Sequence, residues 1–165
     1  MARMLLALGL LLSTAACEDP ADYLPKDAAT LERPALAQAE AVRLVRDIVG
    51  PCERAMEQAS AAVGALAAAA APGEAARPRI SQTKDACRSA FARLQTSPAP
   101  GDLRDACLAA VYARESVADT ALQILDGRAT SLSVSTLQYK TADQAAASRA
   151  CMTALARAAA IPLRP

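Results

Sequence analysis

The chain contains no histidine and no tryptophan, and one Phe and three Tyr are its whole aromatic content in 165 residues. Without His there is no Ser-His or Cys-His nucleophile pair, no imidazole general base and no histidine-bearing metal site. Glycine is scarce as well: the six present form no G-x-G-x-x-G or P-loop string, which excludes the phosphate cradles built on such loops. No two cysteines lie closer than 20 residues. That spacing removes C-x-x-C-H haem attachment and C-x-x-C redox motifs, and it lacks the paired close ligands of a zinc site. No apolar run approaches the roughly 20 residues that a membrane-spanning helix requires. What remains for acid–base chemistry is carboxylate or Tyr alone, and nothing singles out a pair of either. No catalytic residue, cofactor site or metal ligand is therefore expected.

The N-terminus has a plain three-part pattern: Met1-Ala2-Arg3 with one positive charge, an apolar run from Met4 to Leu12, and the small residues Ser13-Thr14-Ala15-Ala16 leading into Cys17. Such a pattern predicts a secretory signal peptide over residues 1–16, removed on export. Loss of Arg3 balances the remaining basic residues against the 17 acidic ones. A formally neutral domain of about 149 residues suggests no nucleic-acid or polyanion partner and is long enough to bury a single core.

Ala15-Ala16-Cys17 resembles the recognition box of bacterial lipoprotein precursors, with Thr14 standing where that family usually carries Leu. The resemblance implies a diacylglyceryl group on the Cys17 sulfur and a protein anchored by lipid to a bacterial membrane, facing the periplasm. Ordinary signal-peptidase cleavage would instead release a soluble periplasmic or secreted protein. Cysteine parity agrees with lipidation, since five Cys leave one over and acylation of Cys17 leaves an even set: Cys52, Cys87, Cys107 and Cys151. Residues 17–31, rich in Pro and Asp, read as a flexible tether to a domain over 32–165.

Within that domain Val42, Val45, Val49, Cys52, Met56, Ala59, Val63 and Leu66 step by three and four, the stripe of an amphipathic helix. Gly50-Pro51 falls inside the stripe without shifting it and predicts a kink or a one-turn break. A second helix is expected from about Arg79 to Gln95, and a third from an Asp102 N-cap to about Asp126 with Gly127 at its left-handed C-terminal position. The third is expected to bury Leu103, Ala106, Ala110, Ala113, Val117 and Ile124. The fourth is expected from about Gln138 to Ala160, with residues 128–138 as a loop. Four such helices predict an all-α, antiparallel four-helix bundle, its first helix kinked at Gly50-Pro51, stapled by two disulfides.

Placing the turn between the second and third helices at about residue 98 brings Cys87 and Cys107 within about 3 Å of one height, while Cys52 and Cys87 miss by roughly 18 Å. The expected pairs are Cys87 with Cys107 and, by exclusion, Cys52 with Cys151. On the third helix the side away from the core reads Asp105, Leu108, Tyr112, Glu115 and Asp119. Leu108 and Tyr112 are out of place on an acidic, solvated face, and they are the candidate partner contact. Arg77, Arg79, Arg88 and Arg93 form a possible anion-facing group on the second helix. Two classes of function follow: a binding module that docks an envelope protein, a hydrolase or a small apolar ligand, or a small envelope enzyme using carboxylate or Tyr chemistry.

Overall fold

The computed structural model describes residues 38–128 and 131–160. The expected leader, Cys17 and the tether lie outside the described residues. Four α-helices account for nearly all of them: α1 spans Gln38–Ala67, α2 Ala76–Gln95, α3 Gly101–Leu125 and α4 Ser131–Ala160.

α1 forms where the three-four stripe is, burying Val42, Val45, Val49, Cys52, Met56, Ala59, Val63 and Leu66. It is a single helix of 30 residues with Pro51 inside it. The expected break at Gly50-Pro51 does not occur. Pro51 cannot supply the amide that the Asp47 carbonyl would accept, at a cost of about 3 kcal/mol in an exposed helix. Complete burial of Val49 and Cys52 on the inner face offsets that cost.

α1 ends at Ala67, earlier than the alanine run that follows suggests. Ala69 takes a left-handed conformation with φ of 54°, the Ala70 amide donates to the Ala65 carbonyl and the Ala69 amide to that of Leu66. This is the paired hydrogen-bond pattern that usually ends on glycine. α3 ends in the same way on a glycine, with Gly127 at φ 68° and the Gly127 and Arg128 amides bonded to the Ile124 and Gln123 carbonyls. The start of α3 differs from expectation: Pro100 is the N-cap and Asp102 lies within the first turn, without a side-chain cap bond.

α4 starts seven residues before the expected Gln138, so most of the predicted loop over 128–138 is helix. Leu137 is completely buried, and the Gln138 side chain donates to the Ala67 carbonyl at the end of α1. Tertiary anchoring of this kind overrides the weak helix propensity of a Ser-, Val- and Thr-rich stretch.

Contacts along each seam fix the directions. Between α2 and α3, Arg77 pairs with Asp126, Lys84 with Asp119 and Arg88 with Glu115, so the partner recedes by as many residues as the donor advances. α1 and α2 meet at Cys52 with Cys87 and Ala55 with Thr83. α3 and α4 meet at Cys107 with Cys151 and Thr120 with Lys140. Each of these pairs of neighbours runs antiparallel.

The disulfides are Cys52–Cys87 and Cys107–Cys151, one in the first hairpin and one in the last. The expected pairing of Cys87 with Cys107 and Cys52 with Cys151 is wrong because it misplaces both hairpin registers. The ion-pair ladder puts Cys87 level with residue 116 of α3, about 13 Å along the axis from Cys107. Conversely, Thr83 opposite Ala55 places Cys87 level with Cys52.

The interior holds two apolar clusters. One surrounds both disulfides and includes Val45, Val49, Leu94, Leu103, Val111 and Leu155. The other contains Met56, Val63, Leu66, Ile80, Val117 and Leu137. Neither cluster contains an aromatic residue among its buried members. On α3, Ala106, Ala113 and Ile124 are half-buried rather than core, while Val111, Arg114 and Ala121 take the inner positions. Because a left-handed alanine costs about 1 kcal/mol relative to glycine, Ala69→Gly is expected to raise unfolding free energy by about that amount in urea titration. An unchanged or lower midpoint would contradict the assigned end of α1.

Candidate functional site

The largest apolar side chains lie outside the buried members of the two clusters. Tyr112 is 62% exposed and Tyr139 69% exposed, and Phe91 is half-buried. Phe91 on α2 and Tyr112 on α3 face each other with ring centroids 6.2 Å apart and planes tilted by 49°, within the range of favourable aromatic pairs. They sit side by side because the α2–α3 ladder brings residue 91 to the height of residue 112.

This seam differs from the predicted acidic face. Glu115 and Asp119 do not face bulk solvent alone but carry the ladder, with Arg88 Nε 3.0 Å from Glu115 Oε1 and Lys84 Nζ 2.5 Å from Asp119 Oδ1. Asp105 pairs with Arg104 at 3.2 Å. Leu108 is not out of place, since it is half-buried against the disulfide cluster; Tyr112 is the exposed member. Of the suggested arginine group, Arg77 and Arg88 are taken up by Asp126 and Glu115, whereas Arg79 and Arg93 are exposed. The four do not act as one anion-facing surface.

The second unusual feature is internal. Arg114 is only 6% exposed and lies between the two apolar clusters, where Nη2 donates to Glu53 Oε1 of α1 at 3.1 Å. Burial pushes the guanidinium below its ordinary range, and the Glu53 carboxylate acts in the opposite direction. Nη1 is buried without a hydrogen-bond partner among the described residues. On α2, Thr83 is fully buried as well, its hydroxyl 2.9 Å from the Ala55 and Arg79 carbonyls and able to donate to either. Sequence reasoning missed Arg114, although its position four residues after Ala110 and three before Val117 puts it on the buried stripe.

The surface depressions are open. One of about 380 Å³ lies between α3 and α4, floored by Ala106, Ala150 and Ala154 and flanked by Asp102, Thr153 and Arg157. Another, of about 330 Å³, is lined by Glu40, Arg43, Leu44 and Asp47 of α1. Its two carboxylates, Glu40 and Asp47, are two turns apart on one helix, with backbones about 10 Å apart. Among the described residues no group of three metal-ligating side chains is assembled, and the four cysteines there are all in disulfides. Searches of protein-family models, of curated proteins and of solved structures find no match to this chain.

Lys84 hydrogen-bonds Asp119 and holds its carboxyl below the usual range, and Arg128 and Arg77 do the same for Asp126. A depressed folded-state value stabilises the fold above the ordinary carboxylate pKa, and that contribution is lost as pH falls through the lowered value. The double variant Asp119→Asn with Asp126→Asn should therefore show a shallower loss of stability than the parent as pH falls below the ordinary carboxylate range of about 4; an equal slope in acid titration would contradict the assignment. Glu53→Gln leaves Arg114 buried without a countercharge. It should cost about 2 kcal/mol, below the range for a fully buried pair because Glu53 is 39% exposed. A change under about 0.5 kcal/mol in urea titration would show that the pair is not needed.

Proposed function

We propose that this chain is an envelope-located interaction module, anchored by lipid on Cys17 and engaging a protein partner through the Phe91–Tyr112 seam. One observation carries the reading: an alanine- and valine-filled core leaves every described aromatic side chain out of its buried set, and two of them meet on one face. Aromatic residues dominate the energetics of both cores and interfaces. Where the core does without them, a paired and exposed position is what a binding surface uses. The open, one-sided depressions favour a surface-to-surface partner over an enclosed small-molecule ligand.

Location is supported separately. Two disulfides fit an oxidising, extracytoplasmic compartment. No described helix is long and apolar enough to cross a membrane, so attachment would fall to lipid. With Cys52, Cys87, Cys107 and Cys151 paired to one another, Cys17 is the cysteine that the helical domain does not use. Two or more acyl chains on such a residue meet the two-signal minimum for stable anchoring.

The test uses the intact protein expressed in a bacterial host. Cys17→Ser should move it from the membrane to the soluble fraction, and unchanged partition would refute lipidation. Affinity purification of the membrane-attached protein should recover a partner that Tyr112→Ala loses by about tenfold or more. Equal recovery with parent and variant would remove the seam from the account.

A further inference from the structure

Along the α2–α3 seam, level charges of opposite sign close onto each other in three ion pairs. On the α3–α4 seam Asp102 and Arg157 stand level and stay apart. Measured along the helices from the Cys107–Cys151 bridge, Asp102 lies about 7.5 Å away and Arg157 about 9 Å, both toward the end of the bundle where α1 begins. Both side chains are exposed, and neither has an ion-pair or hydrogen-bond partner among the described residues. Between them lies the depression of about 380 Å³ floored by Ala106, Ala150 and Ala154. With a methyl group at each floor position, no side chain fills the space between the two charges. At its edge the Thr153 hydroxyl donates to the Arg149 carbonyl, which leaves its oxygen as a further acceptor.

We infer that this depression takes the ethanolamine-phosphate headgroup of a phospholipid, its ammonium on Asp102, its phosphate on Arg157 and its carbon link over the alanine floor. The charges select a zwitterion, since an anion alone would meet Asp102 and a cation alone would meet Arg157. A primary ammonium brings three N–H donors to a carboxylate, and a guanidinium binds phosphate through two parallel hydrogen bonds. The volume is at the small end for a ligand site. Its open side suits a group presented by a surface better than a free molecule that must be enclosed. Position agrees with that source. The chain from Cys17 enters the bundle where α1 begins, so lipid on Cys17, on which this step rests, sets the depression at the end nearer the membrane.

The test follows backbone amide signals by NMR in the full chain carrying Cys17→Ser, so that its outcome does not depend on acylation. Glycerophosphoethanolamine should shift the signals of Ala106, Ala150 and Ala154 saturably, with a dissociation constant on the order of 1 mM. Asp102→Asn and Arg157→Gln, both at exposed positions, should each weaken binding by about fivefold or more. Ala150→Leu should block it by filling the floor while both charges stay in place. Glycerophosphocholine, whose methylated ammonium has no N–H for Asp102, should bind about fivefold more weakly or worse. Glycine carries the same two charges without a lipid source. Binding of glycine as tight as that of glycerophosphoethanolamine overturns the headgroup assignment. Absence of a saturable shift, or unchanged binding in either charge variant, overturns the site. None of these measurements involves Tyr112, and the membrane partition of Cys17→Ser tests anchoring by itself, so this inference and the proposed function can fail separately.

Discussion

Two disulfides hold the two outer hairpins of this bundle, and the rest of the structure depends on them because the core between the helices is built from small side chains. Among the described residues, nine alanines and six valines are buried beside five leucines and no aromatic ring. Apolar burial scales with area, so such an interior stabilises less per residue than a leucine-rich one. Closing loops of 35 and 44 residues constrains the unfolded chain instead. On the chain-entropy model each closure is worth about 4 kcal/mol, against a net stability of roughly 5 to 15 kcal/mol for a typical domain. The first bridge ties α1 to α2 and the second ties α3 to α4. What joins the two hairpins is the pair of apolar clusters, each drawn from all four helices, together with the α2–α3 ladder, Gln138 bonded to the end of α1, and the Arg114–Glu53 pair.

That division of labour bears on function. With the bridges supplying so much of the stability, the aromatic side chains need not be spent inside, and Phe91 and Tyr112 stand at the seam between the hairpins. The same ladder of ion pairs that registers α2 against α3 also sets the two rings beside each other and brackets them with charge. Internally, Arg114 of α3 is buried against Glu53 of α1, and a buried charge with one partner tolerates few alternative alignments of α3 against α1. Such pairs are weak as sources of stability and better suited to fixing a register.

The four helices could be read from three-four periodicity because the core stripes are long and nearly free of interruptions, most clearly from Val42 to Leu66. Ends were harder. α1 stops on a left-handed alanine inside its alanine run, and α4 starts within a Ser- and Thr-rich stretch in which Leu137 is completely buried. Those few residues mattered, since helix ends set hairpin centres and hairpin centres decide which cysteines are level. The cysteine pairs were therefore misassigned although each cysteine was rightly placed on an inward face. Tyr112 could be singled out as apolar surface on a charged helix, but its contact with Phe91 depends on the register between two helices, which neither stripe carries alone. Arg114 escaped notice because a charged residue on a buried stripe reads as the edge of that stripe until its partner Glu53, 61 residues away, is known.

The dependence of the fold on its two bridges is open to a direct measurement. Far-ultraviolet circular dichroism of the intact protein would be followed through urea, first oxidised and then after reduction and thiol blocking in denaturant with return to native buffer. The oxidised chain should unfold cooperatively, and the reduced chain should lose most of its helix or retain it only with a midpoint near zero urea. A reduced, blocked chain with the full helical signal and an unshifted midpoint would contradict the account, because the small-residue core would then suffice without its staples.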